Sequence, residues 1–319
     1  MEQQKVCQLG RDDRFDGFLL VRGAEKKTDR NGRDYVDMNL GDRTGEINAK
    51  IWNWDGTQSL PEGGKVLQIR GLIQEYNGRL QMRVEKWQPP RAGEPVPMEK
   101  LVPSAPRDSE EMLREIRETA AGFGSVPIRK LTEAMLEMAG DRLSWFPAAQ
   151  RMHHAERGGL LHHTTDMLRM AKATLEIYPW LNRDLLLAGV ILHDLGKLEE
   201  LKSDENGNVT DYTRDGQLLG HLVRGITLLN RVAERTGVTG EPLVLMEHML
   251  LSHHGEAEYG SPRPPMFPEA EALHWIDMMD ARMNTMKNAW EKTPEGAFSE
   301  KIFSLERRVY HPWYTEDAD

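Results

Sequence analysis

The chain has 319 residues, 39% hydrophobic and 29% charged, with a net charge of −10 at pH 7. Its single cysteine, Cys7, excludes internal disulfides and any all-cysteine metal site. No stretch approaches the ~18 apolar residues of a spanning helix, and residues 1–10 lack the apolar centre of a secretory leader, so a cytoplasmic protein without a membrane partner is expected. The charge is unevenly spread. Residues 1–91 hold 16 Lys+Arg and 14 Asp+Glu, a net of +2, and the remainder holds 25 and 37, a net of −12.

Between residues 15 and 87 the chain alternates in short runs, at 18–21, 35–40, 47–52, 66–70 and 80–84. Turn signals separate them at Arg30-Asn31-Gly32, Asp42-Arg43-Thr44-Gly45, Pro61-Glu62-Gly63-Gly64 and Tyr76-Asn77-Gly78. Five such strands suit a small closed barrel, expected over residues 1–90. In Asn31-Gly32-Arg33-Asp34-Tyr35, Gly41-Asp42-Arg43-Thr44-Gly45, the Lys50-Ile51-Trp52 strand and the Gly71 kink it resembles an OB-fold of the nucleic-acid-binding kind. Such folds stack bases on aromatics within a basic groove. The candidate substrate-binding residues are then Tyr35, Trp52, Trp54 and Tyr76 with Lys50, Arg79 and Arg83. For any one aromatic the competing expectation is that it fills the barrel.

Residues 88–106 contain Pro89, Pro90, Pro95, Pro97, Pro103 and Pro106 and no sustained periodicity, which reads as a semi-rigid linker over about 91–107. From Asp108 the period becomes helical, and residues 108–319 are expected to form an all-α bundle. Helices are expected to start near Ser109 and to run over 126–139 and 160–177. Asn182 is expected to cap the next, which leads to His193-Asp194. A polar loop at 202–216, a helix beginning at His221, and helices over 242–252 and 269–291 follow. In the C-terminal segment, Ile302, Phe303, Leu305 and Val309 recur at roughly helical spacing, and packing on this bundle or on a neighbouring subunit both remain open.

The chemistry centres on Ile191-Leu192-His193-Asp194-Leu195-Gly196-Lys197. A run that buries Leu185, Leu186, Ala188, Val190 and Leu192 and ends in an imidazole beside a carboxylate requires a cation or a charge partner, because an isolated buried charge costs several kcal/mol. The available partners are His162-His163 upstream and His221, His253-His254, Asp277 and Asp280 downstream. Their mixed imidazole and carboxylate donors suit Mn²⁺, Fe²⁺ or a similar transition ion. Lone histidines such as His248, His274 and His311 read as ordinary core or surface residues.

In order and spacing, His163, His193-Asp194, His221, His253-His254 and Asp277 resemble the HD superfamily of metal-dependent phosphohydrolases. The resemblance implies one ion on His163, His193, Asp194 and Asp277 and a second on Asp194, His221 and His253, with His254 as a further ligand or a phosphate contact. Asp280 shares a helix face with Asp277, and His162 adjoins His163, so each pair leaves a choice of register. The expected ligands are Asp277 and His163. Two ions sharing a hydroxide beneath Asp194 would need no side-chain nucleophile. Lys197 is expected either to hold a non-bridging phosphate oxygen or to be a solvated lysine favourable to a helix C-terminus.

An OB-fold joined to an HD domain resembles the YhaM family of 3′→5′ exoribonucleases. Supporting stretches are Met152-His153-His154-Ala155 before Gly158-Gly159-Leu160-Leu161-His162-His163-Thr164, then Ser252-His253-His254-Gly255, Glu258-Tyr259-Gly260-Ser261-Pro262 and Leu273-His274-Trp275-Ile276-Asp277. The resemblance implies release of 5′-mononucleotides from single-stranded RNA, with single-stranded DNA as a second substrate class and Mn²⁺ as the ion. On the same resemblance His153, His154 and Tyr259 line the substrate entrance, and a homo-oligomer is open. Two rival readings stand beside it. One is an HD phosphodiesterase or phosphatase for a small or cyclic nucleotide, with a regulatory OB-fold. The other is a non-catalytic binder with structural metals, disfavoured because structural sites rarely leave coordination positions open.

Overall fold

The computed structural model describes residues 3–57, 59–91, 93–149, 154 and 156–313, and the chain divides into two compact units, Met1–Ser104 and Ala105–Asp319. In the first, β1 (Arg14–Thr28), β2 (Asp34–Asp42), β3 (Gly45–Ile51), β4 (Val66–Tyr76) and β5 (Arg79–Gln88) close in the order β1-β2-β3-β5-β4. Closure removes the sheet edges, and the period of two turns Leu19, Val21, Val36, Met38, Leu40, Ala49, Ile69, Ile73 and Met82 inward as the barrel core. Among the described residues of the barrel only β3 and β5 pair in parallel.

The kink expected at Gly71 is present as a register shift between Arg70 and Gly71, and a Cβ there would lie 2.8 Å from the Arg83 carbonyl oxygen. Glycine lets β4 bend against β5 at that point. The buried Asp42 carboxylate accepts the backbone N–H groups of Val6, Thr44 and Gly45, which pins the β2–β3 hairpin and holds the 3₁₀ turn Val6–Gln8 on the barrel. Within the proline-rich stretch, α1 (Met98–Leu101) buries Leu101, and its Lys100 carbonyl accepts the N–H of Arg43.

The second unit contains α2 (Ser109–Ala121), α3 (Val126–Ala139), α4 (Gly159–Ile177), α5 (Arg183–Leu192) and the short α6 (Lys197–Glu200). A small hairpin, β6 (Leu201–Ser203) and β7 (Val209–Tyr212), precedes α7 (Arg214–Thr236), α8 (Glu241–Ser252) and α9 (Pro268–Trp290). Side-chain caps start three helices: Asp108 accepts from the Glu111 N–H, Asn182 from Leu185 and Thr213 from Gly216. α5 is the axis of the bundle. Leu185 through Leu192 are all buried, against α2, α3, α4, α8 and α9.

Two expectations need correction. The stretch 202–216 is not a plain polar loop, because Val209 and Tyr212 pack on the helical core and draw the chain into the β6–β7 hairpin; α7 opens at Arg214, and beyond the non-helical Gly220 its second segment begins at His221, where a helix start was expected. The C-terminal apolar residues form no α-helix, only the 3₁₀ turn Phe303–Leu305. Bridges Phe298↔Tyr310 and Ile302↔Arg307 make an antiparallel hairpin, of whose four apolar residues at helical spacing only Leu305 is buried. Leu305 packs on this bundle, lining a cavity with residues of α9. Among the described residues no helix is long and apolar enough to cross a membrane.

Candidate metal centre

Helix ends and faces of α4, α5, α7, α8 and α9 meet around Asp194. α5 terminates at Leu192, and His193 turns back so that its Nδ1–H donates to the Val190 carbonyl at 2.9 Å. The end of α8 repeats the device, with His253 Nδ1–H donating to the Leu250 carbonyl at 2.9 Å. Carbonyls of a last helical turn lack partners within the helix and take them from nearby donors. Because a carbonyl only accepts, each ring must carry its proton on Nδ1, which leaves both Nε2 lone pairs aimed at Asp194.

His221 arrives by a different route. Gly220 breaks the helical path of α7 with φ 68° and ψ 169°, and the kink re-aims the next residue. Glu200, 3.2 Å from His221 Nδ1, holds the ring, and Nε2 lies 3.5 Å from Asp194 Oδ1. His253 Nε2 lies 3.8 Å from the same oxygen. On the other side, Asp194 Oδ2 is 3.4 Å from His193 Nε2 and 3.8 Å from His163 Nε2, which in turn is 3.3 Å from Asp277 Oδ1. Asp194 thus has one oxygen toward each of two groups of donors.

Both register choices separate spatially. His163 is fully buried in this cluster, whereas His162 turns to Glu156 at 2.7 Å and Asp166 at 3.3 Å. Asp280 lies behind His163, with Oδ2 2.6 Å from its Nδ1 and 2.8 Å from His154 Nε2. Asp277 faces the cluster and Asp280 orients it. Replacing Asp280 by Asn should lower divalent-metal affinity by roughly 10–100-fold, the usual cost of losing a carboxylate behind a ligating histidine. Calorimetric titration with Mn²⁺ checks this, and an unchanged affinity would remove Asp280 from any role at the centre.

The electrostatics are those of an ion site. Burial acts to raise the pKa of Asp194, yet Lys197, 2.6 Å from Oδ2, and His193 hold it well below the usual carboxylate range. Burial lowers His163, but the carboxylates of Asp277 and Asp280 outweigh it and push the imidazole up to about 10. Burial, with His254 and His193 nearby, depresses His253 far below its ordinary value. Asp194 Oδ1, His221 Nε2 and His253 Nε2 are buried with no hydrogen-bond partner. Orphaned lone pairs converging in this way are costly in a bare protein and suited to a divalent cation, so the residues fit such an ion.

The remaining candidates fall as follows. Asp194, Lys197, His253, His254, Tyr259 and Asp277 line one cavity of about 340 Å³. Lys197 opens α6 and is ion-paired to Asp194, so it is not the solvated C-terminal lysine that the sequence also allowed. His254 donates from Nδ1 to the Tyr259 carbonyl at 2.7 Å, and its ring centroid is 5.0 Å from that of His221. His154 is buried against Asp280 rather than at an exposed entrance, and His153 lies outside the described residues. Sequence reasoning missed Glu200, which carries no motif, and His274, whose Nδ1 donates to the His253 carbonyl at 2.8 Å.

On the barrel, Tyr35 and Trp52 stack with centroids 4.8 Å apart, and Lys50 Nζ stands 5.0 Å over the tyrosine ring. The pairings Asp37↔Lys50 and Lys50↔Arg83 put Lys50 and Arg83 on the same outer face of β3 and β5. Arg79 is exposed at the start of β5, beside Tyr76. Part of this basic charge is neutralised locally, because Asp37 lies 3.0 Å from Lys50 and Glu85 lies 3.4 Å from Arg83. Trp54 packs on the barrel core and stacks on Trp87, which leaves it on the filling side of the earlier alternative.

Comparison with known proteins accords with both units. Residues 20–90 match the OB-fold nucleic acid binding domain, and residues 152–282 match the HD domain. That match and the buried His/Asp cluster imply dependence on a divalent metal. The chain is 38% identical over 302 residues to the 3′-5′ exoribonuclease YhaM of Geobacillus sp. (strain WCH70), covering 94% of this chain and 92% of the relative. It is 38% identical over 310 residues to that of Listeria monocytogenes serotype 4b (strain CLIP80459), covering 97% and 98%. Against that of Bacillus subtilis (strain 168) it is 36% identical over 300 residues, covering 94% and 95%. A barrel and a metal-binding helical bundle in this order, matched over nearly the whole length of such relatives, place the chain in the YhaM family of 3′-5′ exoribonucleases.

Proposed function

We infer that the chain is a metal-dependent 3′→5′ exoribonuclease that releases 5′-mononucleotides from single-stranded RNA, with two ions at the HD centre and Mn²⁺ as the ion. One observation carries it: Asp194 presents Oδ2 to His163 and His193, with Asp277 beside His163, and Oδ1 to His221 and His253. A carboxylate flanked on both sides by lone-pair donors supports bridging of two ions held by those residues, with His254 as the further candidate ligand. Bound there, the ions supply Lewis acidity, lowering the pKa of water and neutralising charge on the phosphoryl oxygens.

The chain's own groups do the rest. Lys197 balances Asp194 and has ammonium protons left for a phosphate oxygen at the cavity. Burial and then His221 lower the pKa of His254, which stays neutral near pH 7. Its Nδ1–H is committed to the Tyr259 carbonyl, so Nε2 keeps a lone pair to ligate or to take a proton from water. Attack of a water oxygen on the phosphorus of the last linkage forms the new P–O bond of the 5′-mononucleotide and breaks the bond to the 3′-oxygen of the preceding nucleotide, which takes up a proton given up by that water and leaves as the new 3′-hydroxyl.

The stacked pair of half-buried Tyr35 and exposed Trp52, with Lys50, Arg79 and Arg83, supports single-strand binding by stacking and phosphate contact. Replacing Trp52 by Ala should weaken binding of a 20-nucleotide RNA by roughly 5- to 150-fold, the ~1–3 kcal/mol of one stacked base. A second change at Tyr35 should add less than its own effect, because the two rings touch. Fluorescence anisotropy reads this, and an unchanged affinity would return Trp52 to a structural role. Single-stranded DNA presents the same bases and phosphates and is expected as a weaker substrate. The free, exposed Cys7 fits a reducing cytoplasm.

A time course with 5′-labelled RNA in Mn²⁺, beside a 3′-phosphate-blocked strand and a panel of cyclic nucleotides, tests the reading. A ladder shrinking from the 3′ end with 5′-monophosphates as product is expected. Intact RNA with a cleaved cyclic or free nucleotide would overturn it. That small-nucleotide alternative is not favoured, since the relatives matched over nearly their whole length are named exoribonucleases.

A further inference from the structure

The wall of the metal cavity includes a piece of chain that the metal chemistry does not use. Beyond α9 an antiparallel hairpin is tied at its base by Gly296 N–H to the His311 carbonyl and His311 N–H to the Ala297 carbonyl, and the His311 ring lies 4.3 Å from that of Trp290. Toward the tip, Ile302 N–H donates to the Arg307 carbonyl and Arg307 Nε donates to the Leu305 carbonyl, which fastens the turn. Leu305 is buried and, with Ser304, lines the same cavity as Asp194, His253 and Asp277.

Phe303, two residues before that anchor, is 95% exposed, more than any other large hydrophobic side chain among the described residues. Lys301 and Arg308 adjoin the Ile302–Arg307 bridge, are exposed, and meet no carboxylate among the described residues. A single apolar side chain in water is ordinary. An exposed aromatic on a turn that also carries two cations without ion-pair partners, next to the Ser304 and Leu305 that line the metal cavity, is a different case, because residues 92–319 carry a net charge of −12. These are the two elements by which proteins hold a single strand: an aromatic face for a base and cations for its phosphates.

We propose that the tip of this hairpin is a nucleotide subsite, in which Phe303 stacks the base immediately 5′ of the scissile phosphate while Lys301 and Arg308 hold the phosphates on that side. The proposal rests on the exonuclease reading and locates a grip on RNA within the acidic helical unit. The subsite is open to any base, since every base presents a π face.

Single-stranded RNA carrying 2-aminopurine at successive positions from the 3′ end tests it, with the full-length Mn²⁺-loaded protein mixed rapidly and read before cleavage. Stacking should quench the probe at the position next to the terminal nucleotide. Phe303→Ala should abolish that quench and weaken RNA affinity about ten-fold, or ~1.4 kcal/mol, and Phe303→Trp should restore both. Lys301→Ala and Arg308→Ala should each reduce the slope of log affinity against log salt by ~0.7. Phe303 is exposed, so its variants should keep the wild-type melting temperature. Equal quenching and affinity in Phe303→Ala, with wild-type protein digesting RNA normally, would overturn this inference alone. Wild-type protein that leaves RNA intact would overturn both readings. A lower oligomeric mass of Phe303→Ala by light scattering, with RNA affinity unchanged, would assign the tip to a second copy of the chain and likewise overturn the proposal.

Discussion

Asp194→Asn should release no detectable mononucleotide, a loss of at least about a thousandfold, or ~4 kcal/mol of transition-state stabilisation. The size follows from position. Asp194 places one oxygen beside His163 and His193 and the other beside His221 and His253, so neutralising it removes the common member of both donor groups. The bound metal measured after dialysis should fall with the activity. A second consequence separates charge from chemistry. Lys197 is largely buried, its side chain 12% exposed, with Asp194 paired to it at 2.6 Å, and stranding a largely buried ammonium costs up to roughly 3–5 kcal/mol. In EDTA the single variant should therefore melt well below the wild type. Asp194→Asn combined with Lys197→Met should recover most of that stability and none of the activity. A single variant that still sheds nucleotides at more than a tenth of the wild-type rate would remove Asp194 from the reaction.

Gly196→Ala should be nearly as damaging, although it alters no ligand. The backbone of Gly196 is right-handed helical, φ −59° and ψ −23°, so alanine suits the conformation. The obstacle is proximity. A Cβ at this position would lie 2.1 Å from the His221 carbonyl oxygen and 2.7 Å from the Gly225 nitrogen, both backbone atoms of α7. Side chains at a tight contact can rotate away, whereas backbone can only be pushed off as a unit. α7 must then retreat from α6, carrying His221 away from Asp194. The expected destabilisation is about 3 kcal/mol or more, with a fall in melting temperature of roughly 6–12 °C for a unit of this size. Metal affinity should fall in parallel. A loss under about 1 kcal/mol with full metal content would show that α7 can shift freely and that the close approach has no role in placing His221.

The architecture was readable because its signals are local and redundant. Alternation with turn residues marks the strands between residues 15 and 87, and the helix start near Ser109 and the cap at Asn182 fall where they were expected. The His-Asp doublet announced a charged pair at the end of a buried helix, and the burial of Leu185 through Leu192 accords with that. The reading failed where local pattern and burial disagree. Ile302, Phe303, Leu305 and Val309 have helical spacing, yet they share no buried face, and the backbone pairs with itself instead.

The sequence by itself determined the kinds of residue available to the centre and the order in which they come along the chain, since composition and periodicity are properties of short stretches. Only the tertiary structure decided which member of each neighbouring pair faces inward. His162 and His163 are one residue apart, which is ~100° of rotation on a helix, and Asp277 and Asp280 lie within one turn. Their separation depends on how α4 and α9 sit around α5, with His163 Nε2 toward Asp277 and Nδ1 toward Asp280. The same is true of Glu200 and His274, which hold His221 and the His253 backbone from distant positions in the chain. Such contacts are made across elements by packing, and no spacing within a single segment encodes them.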